Sequence, residues 1–194
     1  MTAADNAPKR VLAVLSDSDA PSALRSAAAM ADWHGAALDA CICVEPPHDL
    51  GVLARLVGHA PDRLMDDFAD RRRAKAEAAL GAELPGRPVA LHVLRGKTFV
   101  EVIGHVIASG TDLVVKAAEP LTGAHRLLFA STDQHLLRKC PCPVWLLTEG
   151  AADSPKRVLA AVDVDDWDAA EPETLASLNR RVIEIACRMA APTG

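Results

Sequence analysis

Short, unbroken apolar runs alternate along most of this chain with longer segments in which apolar residues recur every three or four positions. The first run, Val11-Leu12-Ala13-Val14-Leu15, offers no polar position to water, which predicts a strand covered on both faces. Ser16-Asp17-Ser18-Asp19 follows, small polar residues suited to capping a helix. Pro21 fits that helix's first turn, and Leu24, Ala27, Ala28 and Ala31 share one face before Gly35 stops it. Ala37 to Val44 reads as a second strand, closed by Glu45-Pro46-Pro47, because proline cannot donate to a ladder. Leu50 to Val57 is short and mostly apolar. Pro61 to Leu80 reads as a long helix with Asp67 and Asp70 spaced to meet Arg71 and Arg73. Pro88 to Leu94 supplies a third strand, and Thr98 opens a helix with Phe99, Ile103, Val106 and Ile107 at helical spacing up to Gly110. Asp112 to Lys116 is a fourth strand. Ser131-Thr132-Asp133-Gln134 matches a capping box at the head of a helix running to about Lys139. Cys140-Pro141-Cys142-Pro143 breaks that helix before a fifth strand, Val144 to Leu147.

Strands alternating with helices imply an α/β fold, a five-stranded parallel sheet with helices on both faces. Ligands of such sheets lie beyond the carboxyl ends of the strands, where strand order reverses. That edge would hold Ser16-Asp17, Val44-Glu45 and Ala117 onward. The start of the fold also recurs: Pro8-Lys9-Arg10-Val11-Leu12-Ala13 returns as Pro155-Lys156-Arg157-Val158-Leu159-Ala160. After the second copy, Leu175, Leu178, Val182, Ile185, Ala186 and Met189 fall on one helical face. The expected organisation is a complete domain over 1–148, a linker over 149–156, and an incomplete C-terminal β-α unit over 157–194. That unit is expected to be the truncated start of a second, similar domain; the alternative is that it extends the first sheet or packs on it.

Composition removes several classes of function. The 194 residues carry 21 Lys+Arg against 26 Asp+Glu, a formal charge of -5, so no positive field attracts nucleic acid or anionic lipid. Three Trp, three Phe and no Tyr give no stacking platform for single strands. Arg71-Arg72-Arg73 is interleaved with acids and reads as a solvated helix face. No run approaches the roughly 18 apolar residues of a membrane span, and the polar start lacks a secretory pattern. The expectation is therefore a cytoplasmic protein without membrane insertion. Five cysteines, an odd number, are expected to be reduced thiols.

The stretch from Asp112 to Lys116, and above all His135-Leu136-Leu137-Arg138-Lys139-Cys140-Pro141 within Ser131 to Trp145, resembles the universal stress protein family, and within it the tandem-domain UspE-like branch. The resemblance covers Arg10 to Leu147 as one domain and Arg157 to about Ala190 as the beginning of another. It implies a Rossmann-like sheet, a cytoplasmic protein associated with survival under stress, and a homodimer or an intramolecular pairing of tandem domains. Some members bind ATP through a G-x2-G-x9-G-[ST] loop after the fourth strand, where glycine lets the backbone approach phosphates. In this chain that spacing falls on Ala117, Pro120, Ala130 and Ser131. Only the hydroxyl position matches: two Cβ atoms fill space, and Pro120 has no N–H to donate. The family's acidic residue after the first strand is matched by Ser16, or by Asp17 after a shift of one. ATP is thus disfavoured as a cofactor.

Ser131 and Thr132, at a helix N-terminus, together with Asp17 could still hold an anion weakly, although Ser131 equally serves as an ordinary cap. Lys116, ending an apolar strand, needs either a salt bridge, to Glu119 or an acid in the second half, or a bound anion. Cys140 and Cys142 are separated by one residue rather than two and have no second ligand pair, so neither a metal site nor a redox motif is expected. Cys41 and Cys43 share a strand face and read as small core residues. In the family's strand order they lie across the first strand from Cys140 and Cys142. Ser131, Asp133 and His135 contain triad residue types, but Asp133 faces away from the other two. His92 and His105 read as structural, and no nucleophile elbow or P-loop is present. The expectation is a non-enzymatic stress protein with a degenerate ATP loop, acting on an unknown protein or small-molecule partner. The alternative is a weak nucleotide-binding or nucleotide-hydrolysing switch using Ser131, Thr132 and Asp17.

Overall fold

The apolar run at the start of the chain becomes the central strand β1 (Arg10–Leu15), in which no residue from Val11 to Leu15 is more than 4% exposed. The structure is a computed structural model that describes residues 7–16, 20–119, 131–148, 150–151, 153, 155, 157–164 and 172–189. On one side β1 pairs with β2 (Ala37–Val44), which pairs in turn with β3 (Ala90–Arg95). On its other side it pairs with β4 (Leu113–Ala117), followed by β5 (Val144–Leu147). Every pairing is parallel, giving the order β3-β2-β1-β4-β5. The direction of winding reverses between β1 and β4, which opens a crevice at their carboxyl ends.

The helices are α1 (Ala20–His34), α2 (Leu50–Leu56), α3 (Pro61–Glu83), α4 (Thr98–Ser109) and α5 (Thr132–Lys139). α1 packs on β1, β2, β4 and α3, while α4 and α5 pack on each other and on the sheet. Small residues permit the first of these contacts: Ala23, Ala27 and Ala31 are fully buried beside Leu24. A second layer joins Leu12, Val14, Cys41, Cys43 and Val114 to Val102, Val106 and Leu136. These strand positions alternate with Val11, Ala13 and Ile42, so the sheet is apolar on both faces.

Some boundaries and faces differ from the sequence pattern. β3 begins at Ala90 rather than Pro88, where Ala90 first stands opposite Asp39 in the ladder. In α4 the buried stripe contains Val102, and Ile107 is 67% exposed because it lies at the margin of the arc centred on Val102 and Val106. Gly110, with φ 67°, ends α4 in the left-handed conformation that glycine tolerates.

By its contacts the chain divides into a unit over Pro8–Ala151 and another over Met1–Ala7 with Ala152–Gly194. In the second, the C-terminal helix α6 (Pro172–Met189) forms, but residues 157–164 do not pair as a strand. A strand exists only where a neighbour takes its N–H and C=O groups. Here the Asn179 amide takes two of them, accepting from the Asp163 N–H at 3.1 Å and donating to the Asp163 carbonyl. Among the described residues, no helix is long and apolar enough to cross a membrane.

Candidate functional site

The crevice between β1 and β4 is a cleft of about 130 Å³ lined by Ser16, Cys43, Arg72, Lys116, Ala117 and Thr132, among others. Lys116, only 4% exposed, points its ammonium across the cleft toward the N-terminus of α5. Its Nζ donates to Asp133 Oδ1 at 2.8 Å and to the Ala117 carbonyl at 2.9 Å, and lies 3.8 Å from Glu119 Oε1. The other oxygen, Asp133 Oδ2, accepts from the Glu119 N–H at 2.7 Å. The carboxylate thus takes an ammonium and a backbone N–H while sitting in the first turn of a helix, where the dipole favours negative charge.

Ser131 is the N-cap of α5, and its Oγ accepts from the Gln134 N–H at 3.3 Å. Thr132 lines the cleft. Ala117 is buried at the end of β4, opposite Leu147, and the next N–H, of Ala118, donates to the Leu147 carbonyl at 2.8 Å. The structure therefore brings Lys116, Ala117, Ser131 and Thr132 to one edge, while Asp17, Pro120 and Ala130 lie outside the described residues. The salt bridge expected of Lys116 has Asp133 as its near partner, with Glu119 farther away. Asp133, turned away from Ser131 and His135 along its helix, faces Lys116 on β4.

Two further contacts build the neighbouring edge. Arg72 does not stay on a solvated face: its Nη1 donates to the Cys43 carbonyl at 2.6 Å, at the end of β2. Glu45 Oε1 accepts from the Thr98 N–H at 2.6 Å and so caps α4 from another element. Partial burial pushes the Glu45 carboxyl up, but the hydrogen bonds from Thr98 and the charges of Lys97 and Arg72 outweigh it and hold the group below its ordinary value.

The triad residue types are each engaged elsewhere. Asp133 is bound to Lys116, and the His135 ring stacks on Phe99 with centroids 4.1 Å apart. His92 and His105 meet between β3 and α4 at 4.4 Å. Burial lowers the His105 pKa first, and the neighbouring His92 lowers it further. Among the described residues, no group of three or more His, Cys, Asp or Glu side chains is arranged to hold a metal ion.

A parallel sheet in this strand order, with the N-terminus of α5 at the β1/β4 crevice, defines a Rossmann-like α/β protein. The universal stress protein family model matches residues 8–148, and the chain belongs to that family. It is UspE-like: it is 32% identical to Universal stress protein E of Escherichia coli (strain K12) over 106 residues, 54% of this chain and 32% of that protein. The homolog of Universal stress protein E from Haemophilus influenzae is 30% identical over 100 residues, 51% of this chain and 31% of that one. The matched stretch thus spans about a third of these relatives' length. Among solved structures, a functionally unknown protein from Pseudomonas aeruginosa PAO1 superposes with a TM-score of 0.62 at 22% identity, over 97% of this chain and 58% of that chain. A putative universal stress protein from Pseudomonas aeruginosa UCBPP-PA14 gives 0.57 at 21%, over 95% and 59%. At those identities the likeness concerns the fold.

Proposed function

We propose that this chain is a cytoplasmic stress-response protein that catalyses nothing and acts by binding a protein or small molecule, its nucleotide loop being degenerate. The observation that carries this reading is the Asp133 carboxylate. A phosphate at this edge would need the Lys116 ammonium and unpaired backbone N–H groups. Asp133 engages that ammonium and the Glu119 N–H, so an anion arriving here meets a fixed like charge in place of a free cation. Sequence supports the same conclusion, since Ala117, Pro120 and Ala130 occupy the glycine positions of the ATP-binding members.

Titrating labelled ATP into the full chain tests the reading. The expected result is no saturable binding at micromolar concentration and no ATP turnover. Micromolar, saturable binding that disappears in Ser131→Ala would overturn it and establish the alternative, a weak nucleotide-binding or nucleotide-hydrolysing switch built on Ser131, Thr132 and Asp17.

A further inference from the structure

Cys140 and Cys142 stand at the junction of α5 and β5 with their sulfur atoms 3.6 Å apart. Both ends of this short segment are anchored. The Cys140 N–H donates to the Leu136 carbonyl at 2.9 Å, and the Pro143 carbonyl accepts from the Val114 N–H at 3.0 Å. Between those anchors the chain leaves the helix at Cys140, with φ -69° and ψ 130°, and passes through Pro141, whose ring fixes its own φ. Each thiol is half-buried against the apolar layer that includes Leu136 and Val144, so each retains an exposed side. Closing to a sulfur–sulfur bond of about 2.0 Å requires side-chain rotation and relaxation of the bend at the exposed Pro141.

We propose that Cys140 and Cys142 form a peroxide-reactive dithiol that closes to a reversible intramolecular disulfide. In the first step the Cys140 sulfur, as thiolate, attacks one oxygen of hydrogen peroxide. The S–O bond forms, the O–O bond breaks, and the second oxygen leaves as hydroxide, which takes a proton to become water. Cys140 is now a sulfenic acid. In the second step the Cys142 sulfur attacks the Cys140 sulfur. The S–S bond forms, the S–O bond breaks, and the hydroxyl departs with the Cys142 proton as water. Two thiols and one peroxide thus give one disulfide and two waters. Two molecules of a reduced thiol such as glutathione reverse the oxidation, leaving as their own disulfide.

The proposed order of attack takes Cys142 as the donor in the sulfur–sulfur contact, in which either sulfur can donate. The Cys142 side chain, opposed by burial and helped by the Cys142 N–H, pulls the Cys140 thiol down to about 7. The same contact, with burial, pushes Cys142 up. Cys140 is therefore the thiolate that meets peroxide, and Cys142 the thiol that resolves it. The other cysteines differ in placement: Cys41 and Cys43 are buried in β2, and Cys187 is exposed on α6.

Peroxide treatment of the full chain, followed by alkylation of free thiols and tryptic mapping, tests the assignment. Cleavage after Lys139 and Lys156 leaves both cysteines on one peptide. That peptide is expected unalkylated and short of two hydrogen atoms, and doubly alkylated again after millimolar reduced glutathione. In Cys142→Ser, dimedone should trap the sulfenic acid on Cys140; in Cys140→Ser, no adduct should form on residue 142 at the same dose. The proposal is overturned if the wild-type peptide stays doubly alkylated while Cys187 is oxidised. It is equally overturned if either sulfur pairs with Cys41, Cys43 or Cys187, or goes directly to sulfinic acid. The wild-type measurement decides the matter even if a variant misfolds.

Discussion

Lys116 and Asp133 are each withdrawn from water, at 4% and 8% exposure, and each depends on the other for compensation. Removing two charges from water costs several kcal/mol per ion, and mutual attraction with full hydrogen bonding roughly offsets that. Removing one partner exposes the cost. Asp133→Ala should lower stability by about 3 kcal/mol, read as a lower urea midpoint with unchanged slope. Lys116→Met added to that variant should restore much of the loss. A drop below about 1 kcal/mol, the range of solvated pairs, would show that water reaches the ammonium. The need of Lys116 for a partner was legible in sequence, because a charge ending a buried strand must be answered. The identity of the partner was not. Helical periodicity assigns Asp133 a direction relative to Ser131 and His135 but none relative to β4, seventeen residues earlier. Residue counting likewise separated Cys140 from Cys142 as a non-motif, whereas the bend at Pro141 brings their sulfurs into contact.

Within the elements, the caps decide where the chain enters the site. α5 carries its own cap in Ser131, which is why the box was visible in sequence. α4 has none of its own and borrows Glu45 from the end of β2, a long-range contact that no local motif announces. This cap titrates. Because the Glu45 carboxyl lies lower in the folded chain than its ordinary value of 4.5, its contribution is fully present above that pH and is lost as pH falls through the depressed native value. Glu45→Gln should therefore flatten this segment of the stability curve, cost about 1 kcal/mol at neutral pH, and converge with wild type in acid. Parallel curves from pH 7 to pH 3 would show that Glu45 does not cap α4. The strands of the first unit were readable because each is an apolar run between turn residues. The run at 158–162 carries the same pattern without a neighbouring strand, and pattern alone does not create a ladder.

At the scale of the whole molecule, α6 has an apolar stripe that its own short unit does not cover: Leu178 is 56% exposed and Val182 37%, with Ile183 beside them at 47%. The opening motif, Pro8-Lys9-Arg10-Val11-Leu12-Ala13, recurs just before this helix as Pro155-Lys156-Arg157-Val158-Leu159-Ala160. Apolar area of this kind is stabilised by burial at about 25 cal/mol per Å², so a chain presenting it should associate with itself or pair with a further domain of its own. Size-exclusion chromatography with light scattering on these 194 residues should give twice the 20.5 kDa chain mass. Leu178→Glu with Val182→Glu should shift that species to monomer while leaving the Pro8–Ala151 unit folded by circular dichroism. A monomer at all concentrations, with amides from Arg157 onward exchanging freely, would mean that the stripe is not an interface and that the first unit alone carries the binding function.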